Sequence, residues 1–363
     1  MFLKQDKIVE KIREIPVTLG DVSESIFGGV NTKYRLLHRL ALPEEGGSDS
    51  YYLCEGMCKP VFLEPELVYP YVSETFSDKF TFHPSPYGFM LPYELSEGGK
   101  RREYTIIPPE ELKVRFPMTY GRILEFKRKF RHDNSPLKSS DYSIHGRKFM
   151  EYLNVPKIIA TEGYHLQAAY DAAGNHVFEN GCGIVLKDSS KYAYVTAVLN
   201  SSIARLFPSI CRSEMAYSEY TAPAVMKHFP IVFPDNRLTE DLINTVSSYL
   251  SFLNRQKYAR DYWVPDWLRE LIDFYEQVSN LLVLDTYFLN SLDQRLMNAL
   301  EENIHPYAGD LSSEENDPED SDSLLSALYY IKQRILEASS SEKYKFNMGL
   351  PEILNFYQSN EGF

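Results

Sequence analysis

A chain of 363 residues, 44% hydrophobic and 25% charged, has the composition of a globular protein with a full core and exceeds what one core usually organises. One large domain with an appendage, or two unequal domains, is therefore expected, and with 51 acidic against 38 basic residues the formal charge of −13 makes any basic segment stand out. No run of about 18 apolar residues occurs, and the start MFLKQDKIVEKIREI has no apolar stretch of the signal-peptide kind, so neither a membrane span nor a secretion signal is expected and the cytoplasm is the default.

Taken in order, Ile8, Ile12 and Ile15 recur at helical spacing, and Pro16 ends that helix. Gly28-Gly29 reads as a tight turn feeding a strand through Tyr34 and Leu36. The pair does not meet the spacing of a phosphate-binding loop, because no Gly-Lys-Ser/Thr follows. Lys33, Arg35, His38 and Arg39 form a small basic group after the turn. From Tyr51 to Tyr104, prolines at 60, 65, 70, 84, 86 and 92 among Tyr, Phe and Val predict short strands and turns. Cys54, Cys58, Cys182 and Cys211 are too few and scattered for a disulfide framework, and with no second closely spaced pair they read as buried free thiols.

The stretch from Pro117 to His165 is the chemically distinctive one. Between Lys113 and Lys157 there are eleven Lys or Arg residues and four acids, a net of +7, so the remainder carries −20. A segment of one sign inside a chain of the other is a candidate surface for a polyanion. Proline at a first turn predicts a helix beginning at Pro117, with Tyr120, Ile123, Leu124, Phe126 and Phe130 on its buried arc. Arg122 and Lys129 flank that arc on one side, Lys127 and Arg131 on the other. A loop, HDNSPLKSSDYSIHGRK, follows.

KIIATEG then predicts a strand, and AAYDAAGNHVFENGCGIVL predicts two strands joined by a turn at Ala173-Gly174-Asn175. YAYVTAVLNSSIARLF has helical period, and HFPIVFPD reads as a final strand. After Asp235 the chain turns to glycine-free helical sequence over Leu238–Asn254 and Trp267–Leu300. Residues 309–323, GDLSSEENDPEDSDS, read as an acidic disordered linker before a last helix. The divisions are thus 1–235, 236–308, 309–323 and 324–363, in an α/β (α+β) fold with a mixed sheet and a helical C-terminal extension.

The order of IFGGVNTKYRLL, KPVFLEPELVYPYVS, FMLPYE, TYGRILEFKRKFRHD, VPKIIATEG, YDAAGNHVF, YAYVTAVLNSSIARLF and HFPIVFPD resembles the TaqI-like specificity domain of adenine-specific DNA methyltransferases of restriction–modification systems. The similarity spans roughly residues 17 to 235. It implies a target-recognition domain that reads duplex DNA, while a separate methyltransferase domain or subunit binds S-adenosylmethionine and methylates the exocyclic amino group of a flipped adenine. The catalytic [DNS]-P-P-[YFW] motif is missing, since Ser85-Pro86-Tyr87 lacks the second proline and Ile107-Pro108-Pro109-Glu110 has the wrong ends. The F-x-G-x-G cofactor loop is also missing, because Phe27-Gly28-Gly29 is mis-spaced. No cofactor is expected in this chain.

On this reading Arg122, Lys127, Arg128, Lys129 and Arg131, with Lys33 and Arg35, are candidates for phosphate contacts. His145, Arg147 and Lys148, in a glycine-containing loop, are candidates for base edges, arginine suiting guanine in the major groove. Asn200 and Ser201 read as residues making local hydrogen bonds, and His165 and His176 as hydrogen-bonded histidines with no metal. Two rival readings stand beside this one. Pro109-Glu110 with Glu125-Phe126-Lys127 loosely imitates a Mg²⁺-dependent nuclease motif, and the acidic helical end would suit a protein–protein scaffold or specificity subunit.

Overall fold

The computed structural model describes residues 9–41, 51–54, 60–72, 77–82, 87–95, 103–162, 166–211, 222–259, 264–288, 294–305 and 318–339. The chain has a mixed α/β fold. The described residues open with helical residues 9–13 (α1), the short α2 (Leu19–Val22) and strand β1 (Ser23–Gly28). The glycine pair therefore ends a strand and does not feed one. Tyr34 and Leu36 lie at the one-turn helix α3 (Arg35–His38), which leads into β2 (Arg39–Ala41). Short strands follow, as the proline spacing predicts: β3 (Tyr51–Cys54), β4 (Pro60–Phe62), β5 (Val68–Val72), β6 (Ser77–Asp78), β7 (Thr81–Phe82), β8 (Tyr87–Met90), β9 (Tyr93–Leu95) and β10 (Tyr104–Ile106).

Helices α4 (Pro109–Arg115) and α5 (Pro117–Phe130) each start at a proline, whose fixed φ suits a first turn. After α6 (Arg147–Glu151) come β11 (Lys157–Glu162), β12 (Leu166–Asp171), β13 (Val177–Phe178) and β14 (Cys182–Leu186). Among the described residues helices follow: α7 (Tyr192–Leu199), α8 (Ser202–Cys211), α9 (Pro223–Met226), α10 (Arg237–Ala259), α11 (Asp266–Phe288), α12 (Gln294–Asn303) and α13 (Pro318–Ser339). Among the described residues no helix is long and apolar enough to cross a membrane.

Two sheets carry the fold. The inner one has the order β1-β14-β11-β12 with every pairing antiparallel. The outer one has the order β13-β5-β8-β2-β3-β4, antiparallel except where β13 lies parallel to β5. The expected hairpin between β12 and the following strand does not form. Strands β12 and β14 flank β11 on its two sides, and the two residues of β13 leave the inner sheet and pair with Tyr71 and Val72 of the outer one. HFPIVFPD joins neither sheet; its one ladder contact is a bridge from Pro230 to Thr18.

Period-two alternation sorts the strand residues between two cores. Ile158, Ala160, Cys182, Ile184 and Leu186 join the helical layer, with Val195, Val198, Ile243, Leu250, Leu282 and Leu328 in the same cluster. Their strand neighbours Ile159 and Val185 point the other way, into a second cluster with Phe27, Tyr71, Phe89, Phe149 and Phe178 between the sheets. The far side of the outer sheet contributes Leu40 and Met90 to a third cluster, closed by Leu112 of α4 and by Ile123 and Phe126 of α5. The layers therefore run helices, inner sheet, outer sheet, then α4 and α5.

The helices after residue 236 share the first core with β11, β14 and α7, so the change of composition there marks a change of layer and not a separate core. The segment predicted as a disordered linker, 309–323, is helical from Pro318 onward. Its earlier part lies outside the described residues.

Candidate nucleic-acid interface

Helix α5 is fixed at its start by a distant carboxylate. Glu64 accepts hydrogen bonds from the Met118 and Thr119 amides, both at 2.9 Å, and from the Thr119 hydroxyl at 2.7 Å. These are amides that a helix leaves unsatisfied at its N-terminus. The buried side of α5 carries Thr119, Arg122, Ile123, Phe126 and Lys127. Tyr120 and Leu124 are half-buried and Phe130 is 46% exposed, so the arc read from the sequence is rotated toward the cations.

That rotation corrects two of the expected phosphate contacts. Arg122 is 3% exposed and donates from Nη2 to the Leu36 carbonyl at 3.2 Å. Lys127 is 2% exposed, with its Nζ 2.8 Å from Asp141 and 3.3 Å from Asp133. Neither presents charge to a ligand. Burial opposes the charge on Lys127, but Asp141 and Asp133 outweigh it and leave its pKa raised. Asp133 is pulled down to about 2, first by the Ser135 amide and hydroxyl and then by Lys127. Arg131 is half-buried, bonds to Asp141 and lies over the Tyr34 ring at 5.0 Å, so its charge is largely answered within the chain.

The remaining cations face solvent. Arg128 is exposed, and Lys129 is exposed with an i−4 partner in Glu125, a pairing worth little in water. Lys33 is exposed. Arg35 is half-exposed and holds Glu179 at 3.0 Å. Lys148 is exposed, and Arg147 is 89% exposed with only a loose contact to Glu151 at 3.5 Å.

Two basic groups that the sequence separates meet at one place. His145 and Asn31 exchange backbone hydrogen bonds of 2.6 and 2.7 Å as an isolated antiparallel bridge. On one side the chain continues to Lys33 and Arg35, and on the other through Gly146 to Arg147 and Lys148. Gly146 has φ +145°, a conformation that side-chain-bearing residues rarely adopt, and it serves as the N-cap of α6. Behind the bridge the Val30 amide donates to the Phe178 carbonyl at 2.9 Å, and a Cβ on Gly29 would lie 2.2 Å from that same oxygen. The edge is thus braced against the sheets, and Asn31 at its tip is exposed. Sequence reading missed Asn31, Glu64 and Asp141, whose roles depend on partners far along the chain.

The nuclease-like set is not assembled, because Glu110 is exposed in the first turn of α4, Glu125 pairs with Lys129, and Lys127 is enclosed by Asp133 and Asp141. Among the described residues no group of three metal-capable side chains occurs. Cys182 is buried, which pushes its thiol up to about 12, while Cys58, His165 and the side chains of Cys54 and Cys211 lie outside the described residues. His176 bonds through Nδ1 to Asp171 at 2.9 Å. Ser201 bonds locally to the Val198 carbonyl at 2.7 Å, whereas Asn200 reaches across to both backbone groups of Ala168 in β12, at 3.0 and 2.7 Å.

No protein-family model matches the chain, and no curated protein matches it.

Proposed function

We propose that this chain is a reader of duplex DNA that serves an adenine-specific methyltransferase of a restriction–modification system, supplied as a further domain or a separate subunit. The reading rests on the resemblance of residues 17 to 235 to TaqI-like specificity domains and on one structural observation. Lys33, Arg147 and Lys148 remain exposed on two segments joined at the Asn31–His145 bridge, within a chain whose formal charge is −13. A local excess of exposed cations lets an otherwise acidic protein attract a polyanion at that place.

The roles divide by position. Lys33, Arg128 and Lys129 are the phosphate contacts, with Arg35 contributing less because Glu179 already holds it. Arg147, Lys148 and His145 are the base-reading group. The chain itself transfers no methyl group, because the motif that holds the adenine and the loop that binds S-adenosylmethionine belong to the partner.

The test is binding to duplex DNA across a salt series. Affinity is expected to fall steeply, and replacing Lys33, Arg128 or Lys129 by Ala is expected to reduce the log–log salt slope by about 0.9 for each phosphate that is no longer neutralised. Arg147→Ala is expected to flatten preference among duplex sequences. Absence of salt-dependent binding to any duplex would sink the reading and favour a protein scaffold instead.

A further inference from the structure

The cation that α5 withdraws from the surface has another use. Lys127 Nζ donates to Ser135 Oγ and to the Pro136 carbonyl, both at 3.0 Å, besides its contacts with Asp133 and Asp141. One ammonium thus touches four points along residues 133 to 141. The same Asp141 oxygen that meets Lys127 also accepts the Lys138 amide at 2.9 Å, and its other oxygen takes Arg131. Asp141 is 6% exposed. An ammonium has only donors, and left buried without a carboxylate it is strongly destabilising, so conformations that pull Asp141 away are disfavoured.

From Asp141 the chain reaches the bridge through two more anchors. The Tyr142 hydroxyl donates to the Ile107 carbonyl at 2.6 Å, and the Ile144 amide donates to the Tyr93 hydroxyl at 2.9 Å. The next residue is His145. Tyr142 is fully buried in the third core and Ile144 is partly buried against the second, so the loop spans from one core to the other.

We propose that Lys127 is a positioning residue: through Asp141 it winds and fixes the loop that delivers His145, Arg147 and Lys148 to the Asn31 edge, and so governs discrimination among DNA sequences without contacting the phosphate backbone. This deepens the DNA-reading function proposed above and rests on it. A buried clamp of this kind separates two properties that an exposed lysine combines. Its removal loosens the geometry of the base-reading group while the exposed cations keep their number.

The experiment uses the full chain with Lys127→Met, and with Asp141→Asn as a second variant that keeps side-chain size and an acceptor for the Lys138 amide, and leaves Lys127 the Asp133 carboxylate. Amide hydrogen exchange in the free protein is expected to become about tenfold faster at Asn31 and His145 while the β11 and β14 amides stay protected. In DNA binding, the ratio of preferred-sequence to random-duplex affinity is expected to fall about tenfold or more, with the salt slope unchanged. Unchanged exchange at Asn31 and His145 in both variants would overturn the clamp. A salt slope reduced by about 0.9 with sequence preference retained would overturn it too, by making Lys127 a phosphate contact. If the wild-type chain binds no duplex, the DNA reading fails while the exchange result still decides whether Lys127 positions the loop. If Lys127→Met loses protection throughout, Asp141→Asn carries the decision.

Discussion

Asn31 and His145 share two backbone hydrogen bonds, of 2.7 and 2.6 Å, that tie the segment after β1 to the loop after α5. Gly146, directly beyond, has φ +145°. Gly146→Ala places a side chain in that strained region and is expected to cost about 1 to 3 kcal/mol. The measurement is urea denaturation with salt-dependent DNA binding alongside. Because no cation is removed, random-duplex affinity should hold while sequence preference drops.

Glu64→Ala tests the capping of α5. The variant leaves the Met118 and Thr119 amides and the Thr119 hydroxyl without their acceptor. A loss of about 1 to 2 kcal/mol is expected, with a smaller loss for Glu64→Gln, which keeps one acceptor oxygen. Equal stability of Glu64→Ala and wild type in urea would show that water replaces the carboxylate at no cost.

Acid should act on this fold in two separate windows. His38 is fully buried and donates through Nδ1–H to the Met90 carbonyl at 2.7 Å, and burial pushes its pKa down to about 4. Between the usual value near 6.5 and 4 the unfolded chain binds the proton and the folded one does not. The contribution of His38 is therefore constant above about pH 6.5, falls as the pH drops toward 4, and amounts to about 3 kcal/mol lost across the window. His38→Gln should abolish this decline in denaturant titrations at stepped pH. Persistence of the slope in the variant would assign it to another group.

The second window belongs to Asp171. Burial opposes its charge, but His176 and Lys157 outweigh it and hold its pKa at about 2. This contribution is complete above about pH 4 and is lost as the pH falls through 2. Lys157 is 0% exposed and lies 3.1 Å from Asp171, with the Gly174 carbonyl as a further acceptor. Asp171→Asn leaves a buried ammonium without its carboxylate and is expected to cost about 3 to 5 kcal/mol. Thermal or urea unfolding at pH 7 measures it directly.

Local chemistry was legible in the sequence where a residue acts on its own neighbours. Pro117 announces the start of α5, the prolines between 60 and 92 announce short strands, and KIIATEG announces a strand. Partners set by tertiary packing were not legible. Arg122 and Lys127 read as solvent cations because nothing nearby in the chain shows that Leu36 and Asp141 will enclose them. Ala173-Gly174-Asn175 carries the signals of a hairpin turn, yet Gly174 fits there because a Cβ would lie 2.3 Å from the Val155 backbone. The glycine there shows in the sequence and the pairing does not, since Val177 and Phe178 find their partners in Tyr71 and Val72 of the outer sheet.

Strand β13 has a mechanical meaning for the whole molecule. The polypeptide departs from one sheet, contributes two residues to the other beside Tyr71 and Val72, and goes back. The sheets are stitched by their own thread, so one cannot slide over the other without ripping out a stitch. Any adjustment must then come from the rim, where Asn31 and His145 clasp, and the slab behind it serves as a stiff backing plate.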